Sequence, residues 1–354
     1  MKENTLRVSV PGGAYPICFT RDWSGLPAAL EEAGLTGSKL CILTDENVAP
    51  LYLKAVRDMA LPLFSQVSTF AFIPGENSKN LESIQRFYDF FLTRHCDRKT
   101  VVAALGGGVT GDMAGFAAAT FMRGLPYIQL PTSLLAQVDS SVGGKTGVDY
   151  HGIKNLVGSF YQPRLVYINS ATLATLPPRE FAAGMAEVIK YGLVFSGGFY
   201  RYLEENQDRL KAQDPETIEK VLRDCCAFKA DVVARDEKES GEREVLNFGH
   251  TVGHAVESLL GFALLHGECV GLGMLCAMAL SGLPTDPLRK LLEAFGLPVK
   301  AFGLSKDEIY SQMFRDKKVI GDRLRFVLLS EIGKAYRTDT VTKEAVWEAL
   351  GEIL

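Results

Sequence analysis

Val101-Val-Ala-Ala-Leu-Gly-Gly-Gly-Val-Thr-Gly-Asp112 decides the fold class. The apolar run Val101 to Leu105, with β-branched residues at its start, has the pattern of a strand buried on both faces. Glycines end it, and Gly111 to Phe121 reads as a helix. Gly106, Gly108 and Gly111 then stand in a G-x-G-x-x-G spacing, in which backbone N–H groups approach a pyrophosphate at the positive end of a helix. A tight strand-to-helix turn explains the same glycines. The fingerprint also comes later in the sheet than in a Rossmann fold, and no acidic residue follows a second strand at the usual distance.

The same alternation extends outward on both sides. Lys39 to Thr44 reads as a strand, Asn47 to Met59 as a helix, Gln66 to Ile73 as a strand and Ser78 to Leu92 as a helix; Tyr127 to Leu130 and Leu165 to Asn169 are further strands. Strands separated by helical stretches imply crossover units and a mostly parallel sheet, an α/β nucleotide-binding architecture. Asp45, directly after a strand, is placed to grip a ribose. Glu76 and Lys79 end the next strand and could hold another part of the same nucleotide, although ordinary turn polarity accounts for all three.

After Pro177-Pro178 the pattern changes. Arg179 to Leu193, Tyr200 to Leu210, Glu216 to Asp236, Glu244 to Leu260, Glu268 to Leu280, Pro287 to Ala294 and Lys306 to Phe314 read as helices, with at most a short strand at Leu324 to Leu329. The expectation is an α/β domain over 1–177 and an all-α domain over 178–354, with the site in the cleft between them.

Within the second half, Arg243, Asn247, His250 and His254 follow the spacing +4, +3, +4. On a helix they fall within an arc of about 60°. Imidazoles at i, i+4 are a common offer to zinc, and His266 could supply a third nitrogen. One buried histidine is more often a satisfied core residue, and no H-E-x-x-H accompanies the pair. Three histidines with an arginine and an amide on an apolar background favour a metal or anion site. Glu187 is the carboxylate best placed to complete it, or else forms an i, i+3 surface pair with Lys190. Lys145, Lys190, Lys229, Arg123 and Arg243 stand singly in apolar or glycine-rich surroundings, which suits an anionic substrate bearing phosphate or carboxylate. Each alone could simply extend to the surface.

Composition excludes other classes. A chain of 354 residues with 47% hydrophobic and 23% charged side chains has room for two cores, and its net charge of -4 gives no basic footprint for nucleic acid. Met1 to Leu6 begins no signal sequence, and no apolar run reaches the about 18 residues of a membrane span, so the expected location is the cytoplasm. Cys18, Cys41, Cys96, Cys225, Cys226, Cys269 and Cys276, with no C-x-x-C, read as buried thiols of a reducing compartment.

Seven segments in one order resemble the 3-dehydroquinate synthase family: Gly106-Gly-Gly-Val-Thr-Gly-Asp112, Gln137-Val-Asp-Ser-Ser-Val-Gly-Gly-Lys-Thr146, Gly152-Ile-Lys-Asn155, Leu176-Pro-Pro-Arg-Glu180, Ala186-Glu-Val-Ile-Lys-Tyr-Gly192, Asn247-Phe-Gly-His-Thr-Val-Gly-His254 and His266-Gly-Glu268. The resemblance covers nearly the whole chain. It implies a homodimeric, NAD-dependent enzyme with zinc or cobalt that converts 3-deoxy-D-arabino-heptulosonate 7-phosphate to 3-dehydroquinate and phosphate, in the shikimate pathway. By motif, Glu187, His250 and His266 would hold the metal and His254 would stay off it, near the phosphate. NAD would be contacted by Asp45 and Asn47; by Pro74, Gly75, Glu76, Asn77, Ser78 and Lys79; by Gly108, Val109, Thr110, Gly111 and Asp112; by Thr132 and Ser133; by Lys145 and Lys154; and by Thr172, Leu173, Ala174 and Thr175. Ser133 replaces a common threonine and keeps the hydroxyl. The substrate would meet Asp139, Lys145, Asn155, Lys190, Lys229, Arg243, Asn247 and one lysine of Asp316-Lys-Lys318, either Lys317 or Lys318, with Arg123 reaching the phosphate of the neighbouring subunit. Another sugar phosphate cyclase, a metal-dependent polyol dehydrogenase of the same superfamily and a non-catalytic nucleotide-binding regulator are the competing readings.

Overall fold

Two strands that the alternation did not reveal begin the chain: β1 (Thr5–Val10) and β2 (Gly13–Thr20), paired antiparallel. The computed structural model describes residues 4–261, 263–315 and 324–354. Then follow α1 (Leu26–Glu32), β3 (Lys39–Asp45), α2 (Lys54–Ala60), β4 (Gln66–Phe72), α3 (Leu81–Thr93), β5 (Val101–Gly106), α4 (Gly108–Thr120), β6 (Tyr127–Pro131), the hairpin β7 (Lys145–Tyr150) and β8 (Ile153–Phe160), and β9 (Leu165–Asn169). The main sheet has the order β1-β2-β9-β6-β5-β3-β4, parallel throughout except for the β1 edge. Alternate residues of one strand serve opposite faces. Leu40 and Ile42 of β3, with Val101, Ala103 and Leu105 of β5, pack against Leu26 and Leu30 of α1. Cys41, Leu43, Val102 and Ala104 pack on the other face against Phe87 and Phe91 of α3 and Met113 and Ala117 of α4. Burial on both faces explains why Leu40 to Leu43 of β3 and Val101 to Leu105 of β5 are apolar at consecutive positions.

The helix after the glycine-rich turn starts at Gly108, three residues before the expected Gly111, so Gly108, Val109 and Thr110 form its first turn. A Cβ on Gly111 would lie 2.7 Å from Gln129 Oε1, and one on Gly115 2.4 Å from Thr146 Cγ2. The glycines therefore also let α4 lie directly on β6 of the sheet, through Gly111, and on β7 of the hairpin, through Gly115.

The chain divides into two compact units, Met1–Leu176 with Glu219–Lys238, and Pro177–Ile218 with Glu239–Leu354. Helices α5 (Pro178–Phe195), α6 (Gly197–Glu205), α7 (Gln207–Lys211) and α8 (Pro215–Arg235) come first, and most of α8 groups with the α/β unit. The helical unit continues with α9 (His250–Leu259), α10 (His266–Leu280), α11 (Asp286–Ala294), α12 (Lys306–Met313), a hairpin of β10 (Phe326–Glu331) and β11 (Lys334–Thr338), and α13 (Lys343–Ala349). The one expected strand there is thus half of a two-stranded hairpin. Among the described residues, no helix is long and apolar enough to cross a membrane.

One expected helix is broken. Glu242–Asn247 is a 3-10 turn, Gly249 adopts φ 79°, and α9 starts only at His250. Arg243 and Asn247 therefore do not share a continuous helical stripe with His250 and His254. The cause is packing against α10: a Cβ on Gly249 would lie 2.7 Å from Met274 Cγ, and one on Gly273 1.8 Å from the Gly249 carbonyl oxygen.

Candidate functional site

In the α/β unit, the polar residues gather at the carboxyl ends of β3, β4, β5 and β6. The chain leaves β3 toward β4 on one side and returns to β5 on the other, so the sheet's direction of growth switches between β3 and β5. Ligands of doubly wound sheets bind at such a switch point. Asp45 ends β3 and Thr110 lies in the first turn of α4; Thr110 Oγ1 donates to Asp45 Oδ2 at 3.3 Å across the switch. The other Asp45 oxygen accepts from the backbone N–H groups of Asn47 and Val48, both at 3.0 Å. Asp45 thus shapes its own turn and ties it to the glycine-rich turn.

Lys79 Nζ is 2.6 Å from Asp112 Oδ2. Burial works against the Lys79 ammonium, but Asp112 and Glu76 outweigh it and hold its pKa above the ordinary lysine value. Lys154 Nζ lies 3.6 Å from Glu76 Oε1, and the Glu76 charge also acts on Lys79, so the two ion pairs are electrostatically linked. Thr132 is buried, and Ser133 Oγ accepts from the Ala136 N–H at 3.3 Å. Thr172 and Leu173 are buried; Thr172 Oγ1 accepts from Gln137 at 3.0 Å and donates to the Asn169 carbonyl at 2.8 Å. Ala174 and Thr175 are exposed, the latter bonded to Tyr52 Oη. Pro74 and Ser78 are half-buried, and Gly75, Asn77 and Asn47 are exposed.

Lys229 of α8 donates to Asp139 Oδ1 and to its carbonyl oxygen, both at 2.7 Å. Lys145 is exposed at the start of β7, and Asn155, at φ 50°, donates its backbone N–H to Asp149 at 2.8 Å. Arg123 is exposed at φ 68°, at the corner after α4, and joins none of these clusters. Lys317 lies outside the described residues.

In the helical unit, α5, α9 and α10 bring four ligand-type side chains together. The ligand nitrogens of His250, His254 and His266 lie within 4.8 Å of one another. Glu187 Oε1 is 3.7 Å from His250 Nε2 and 3.5 Å from His266 Nε2. These separations are close to the about 3.3 Å edge of a tetrahedron whose ligands stand 2.0–2.1 Å from zinc. The remaining nitrogens are fixed: His250 Nδ1 is 3.1 Å from the Phe248 carbonyl, and His266 Nδ1 is 3.2 Å from Glu257 Oε2. A ligating histidine is normally oriented in this way through its second nitrogen. The donor set therefore fits a divalent ion, through Glu187, His250 and His266 or through the three imidazoles.

The expected Glu187–Lys190 pair forms, but it is buried rather than on the surface: the two side chains are 1% and 2% exposed. Burial disfavours a charged His266, yet the Glu187 and Glu257 carboxylates lift its pKa to about 9. A metal ion bound beside these carboxylates would take the place of that proton on the ring. Arg243 is fully buried in the preceding 3-10 turn, and Asn247 Nδ2 donates to Glu239 Oε1 at 3.2 Å.

Glu257 was overlooked in the sequence, although it stands seven residues after His250 and so on the same helical face. The reason for the His266-Gly-Glu268 triplet was also hidden. Arg179 grips Glu268 through two bonds of 2.7 Å, Glu268 accepts from the Leu265 N–H at 2.7 Å, and a Cβ on Gly267 would lie 2.0 Å from the Ala183 carbonyl oxygen. The triplet presents the His266 imidazole, permits contact of α10 with α5, and clamps the two helix starts together.

Comparison with known proteins places the whole chain in a family. The 3-dehydroquinate synthase N-terminal model matches residues 69–183 and the 3-dehydroquinate synthase C-terminal model residues 184–319. The 3-dehydroquinate synthase of Acetivibrio thermocellus is 45% identical over 334 residues, 91% of each chain, and that of Nitrosomonas europaea is 47% identical over 326 residues, 89% of this chain and 88% of the other. Among solved structures, 2-deoxy-scyllo-inosose synthase complexed with carbaglucose-6-phosphate, NAD+ and Co2+ superposes with a TM-score of 0.88 at 26% identity, covering 99% of this chain and 100% of that one. The 2-epi-5-epi-valiolone synthase of Streptomyces hygroscopicus, with NAD+ and Zn2+, gives 0.87 at 26% identity and 95% coverage of both chains. A probable glycerol dehydrogenase of Sinorhizobium meliloti, at 17% identity and TM-score 0.63, shares the fold over 94% of both chains. With relatives at this identity over nine-tenths of its length, and with both halves matched in order, the chain belongs to the 3-dehydroquinate synthase family.

Proposed function

We propose that this chain converts 3-deoxy-D-arabino-heptulosonate 7-phosphate to 3-dehydroquinate and phosphate, using NAD and a zinc or cobalt ion. The observation that carries the reading is the convergence of Glu187, His250, His254 and His266 beside the buried Lys190. That is a metal-type centre with a fixed cation next to it, as a phosphorylated polyol requires. Glu187, His250 and His266 hold the ion by motif, and the spacings of 3.7 and 3.5 Å from Glu187 to the two imidazoles suit that set. NAD lies at the switch point of the α/β unit, on Asp45, the first turn of α4 and the two linked ion pairs of Glu76, Lys79, Asp112 and Lys154.

When bound, NAD accepts and returns a hydride, and the metal polarises a substrate oxygen, so the two make the carbon beside the departing phosphate acidic. The protein's own groups handle charge and protons. His254, half-buried beside the centre, holds a proton for the phosphate oxygen. Lys190 and Arg243, both buried, offer fixed cations to the substrate's phosphate and carboxylate, which costs no reorganisation as charge develops. Asp139 holds the Lys229 ammonium in one position, and Lys145, Asn155, Asn247 and Lys317 complete the substrate set carried over by motif. Arg123, exposed and held at a left-handed corner, serves the site of a second copy in a homodimer. The enzyme works in the cytoplasm.

Phosphate release from the heptulosonate phosphate by purified protein, with catalytic NAD, tests the reading. Release that stops with a chelator and returns with zinc or cobalt is expected. No release from metal- and NAD-loaded protein would assign the chain another phosphorylated ketose. The curated relatives at 45–47% identity against cyclases of other products at 26% favour the first outcome.

A further inference from the structure

Cys41 and Cys96 are 55 positions apart in the sequence, yet their sulfur atoms are 3.3 Å apart. Cys41 sits in β3 with its side chain in the core beside Phe87 and Phe91; Cys96 lies in the turn after α3, directly after His95 at φ 51°, and is half-buried. Cys18, Cys225, Cys226, Cys269 and Cys276 are all buried. Solvent therefore reaches the pair through Cys96. We propose that Cys41 and Cys96 are a modification site, forming a reversible intramolecular disulfide when the protein meets a hydroperoxide and so linking β3 to the turn after α3.

Closing the bond from 3.3 Å to about 2.05 Å asks each sulfur to move well under 1 Å, within the freedom of a side-chain torsion on the more exposed partner. The chemistry of the two thiols is complementary. The hydrogen bond it shares with Cys41 holds Cys96 below the ordinary thiol range despite the cost of burial, and Lys39 and Thr100 act in the same direction. Lys39 is positioned for this by donating to the His95 carbonyl at 2.5 Å. Cys41 itself is pushed up by its bond to Cys96 and by burial, and burial also pushes up Cys18 and, to about 12, Cys226. Cys96 is thus the nucleophile and Cys41 the resolving thiol.

In the first step the Cys96 thiolate attacks the terminal peroxide oxygen; an S–O bond forms, the O–O bond breaks, and the alkoxide leaves and takes up a proton. In the second, Cys41 sulfur attacks Cys96 sulfur; the S–S bond forms, the S–O bond breaks, and water departs with the Cys41 proton. The two thiols lose two electrons and the hydroperoxide gains them. The link stands apart from the proposed activity.

The test treats the intact full-length protein with stoichiometric hydrogen peroxide, alkylates it, and maps its peptides. A monomer that has lost two hydrogens, carries a Cys41–Cys96 cross-linked peptide, and melts several degrees higher until a thiol reductant is added is the expected result. Cys96→Ser, a change at a half-buried turn, should abolish both the link and the melting shift. Cys41→Val should leave a sulfenic acid on Cys96 that dimedone traps. An unreacted Cys96, chains joined to each other through Cys96, or sulfinic acid on Cys96 with Cys41 still alkylatable would each overturn the assignment.

Discussion

Glu187 keeps a carboxylate at 1% exposure, with the Lys190 ammonium on one side and two imidazoles on the other. A charge in such a place needs partners, and a metal ion held by Glu187, His250 and His266 is the strongest available. His250→Ala should therefore lose both its bound metal and its turnover, as read by metal analysis of dialysed protein. His254→Ala should keep the metal and lose about a hundredfold or more in phosphate release, the usual contribution of a proton-transfer group. Glu257→Gln, which weakens the orientation of His266, should bind metal about 10–100-fold more weakly in competition with a chelator. Metal-free His254→Ala would put the histidine triad in place of the Glu187 set. At this scale the sequence was legible where spacing is local: the i, i+4 histidines are neighbours, with ring centroids 5.2 Å apart. Spacing alone left Glu187 and His254 as rivals, because the choice depends on three helices meeting, and only the motif resemblance named Glu187.

Helices α9 and α10 show how an element is fixed from outside itself. Periodicity runs unbroken from Glu244 to Leu260, yet a 3-10 turn gives way to α9 only after Gly249, where α10 lies too close for any side chain. That constraint belongs to the partner helix and leaves no local mark except a glycine. Gly273→Ala places a methyl 1.8 Å from the Gly249 carbonyl oxygen and should destabilise by about 3 kcal/mol or more in urea unfolding. The same logic hid β1 and β2, which the sheet edge defines, whereas β3 and β5 announce themselves by being apolar on both faces.

The clamp between α5 and α10 gives a pH dependence. Burial works against the Glu268 charge, but Arg179 and the Leu265 N–H outweigh it and hold its pKa below the usual carboxylate range. A lowered folded value means that the contribution is fully present above the unfolded carboxylate value of about 4.3 and is lost as pH falls through the folded value. From pH 6 down to pH 3 the native protein should therefore lose more stability than Glu268→Gln does, by about 1 kcal/mol because Arg179 is half exposed. Equal slopes in acid-dependent melting would remove this role from Glu268.

Over the whole molecule, the order of strands and helices already separates an α/β unit from a helical one, and the structure adds what order alone omits. The sheet switches direction between β3 and β5, which turns Asp45 and the glycine-rich turn into neighbours. Most of α8, carrying Lys229, groups with the α/β unit, where Asp139 meets it, although it lies beyond the Pro177-Pro178 change of pattern. Neither fact has a periodic signature, since both arise from long-range packing.

NAD takes a hydride from the substrate and returns it within each turnover, so it is not consumed. The most direct test supplies metal-loaded protein with the heptulosonate phosphate in large excess over NAD and follows phosphate, 3-dehydroquinate and NADH absorbance together. The account predicts complete conversion with phosphate and 3-dehydroquinate in equal amounts and no accumulation of NADH. Reaction that halts after one equivalent of NAD, with NADH formed in step, would contradict it and identify a dehydrogenase on the same fold.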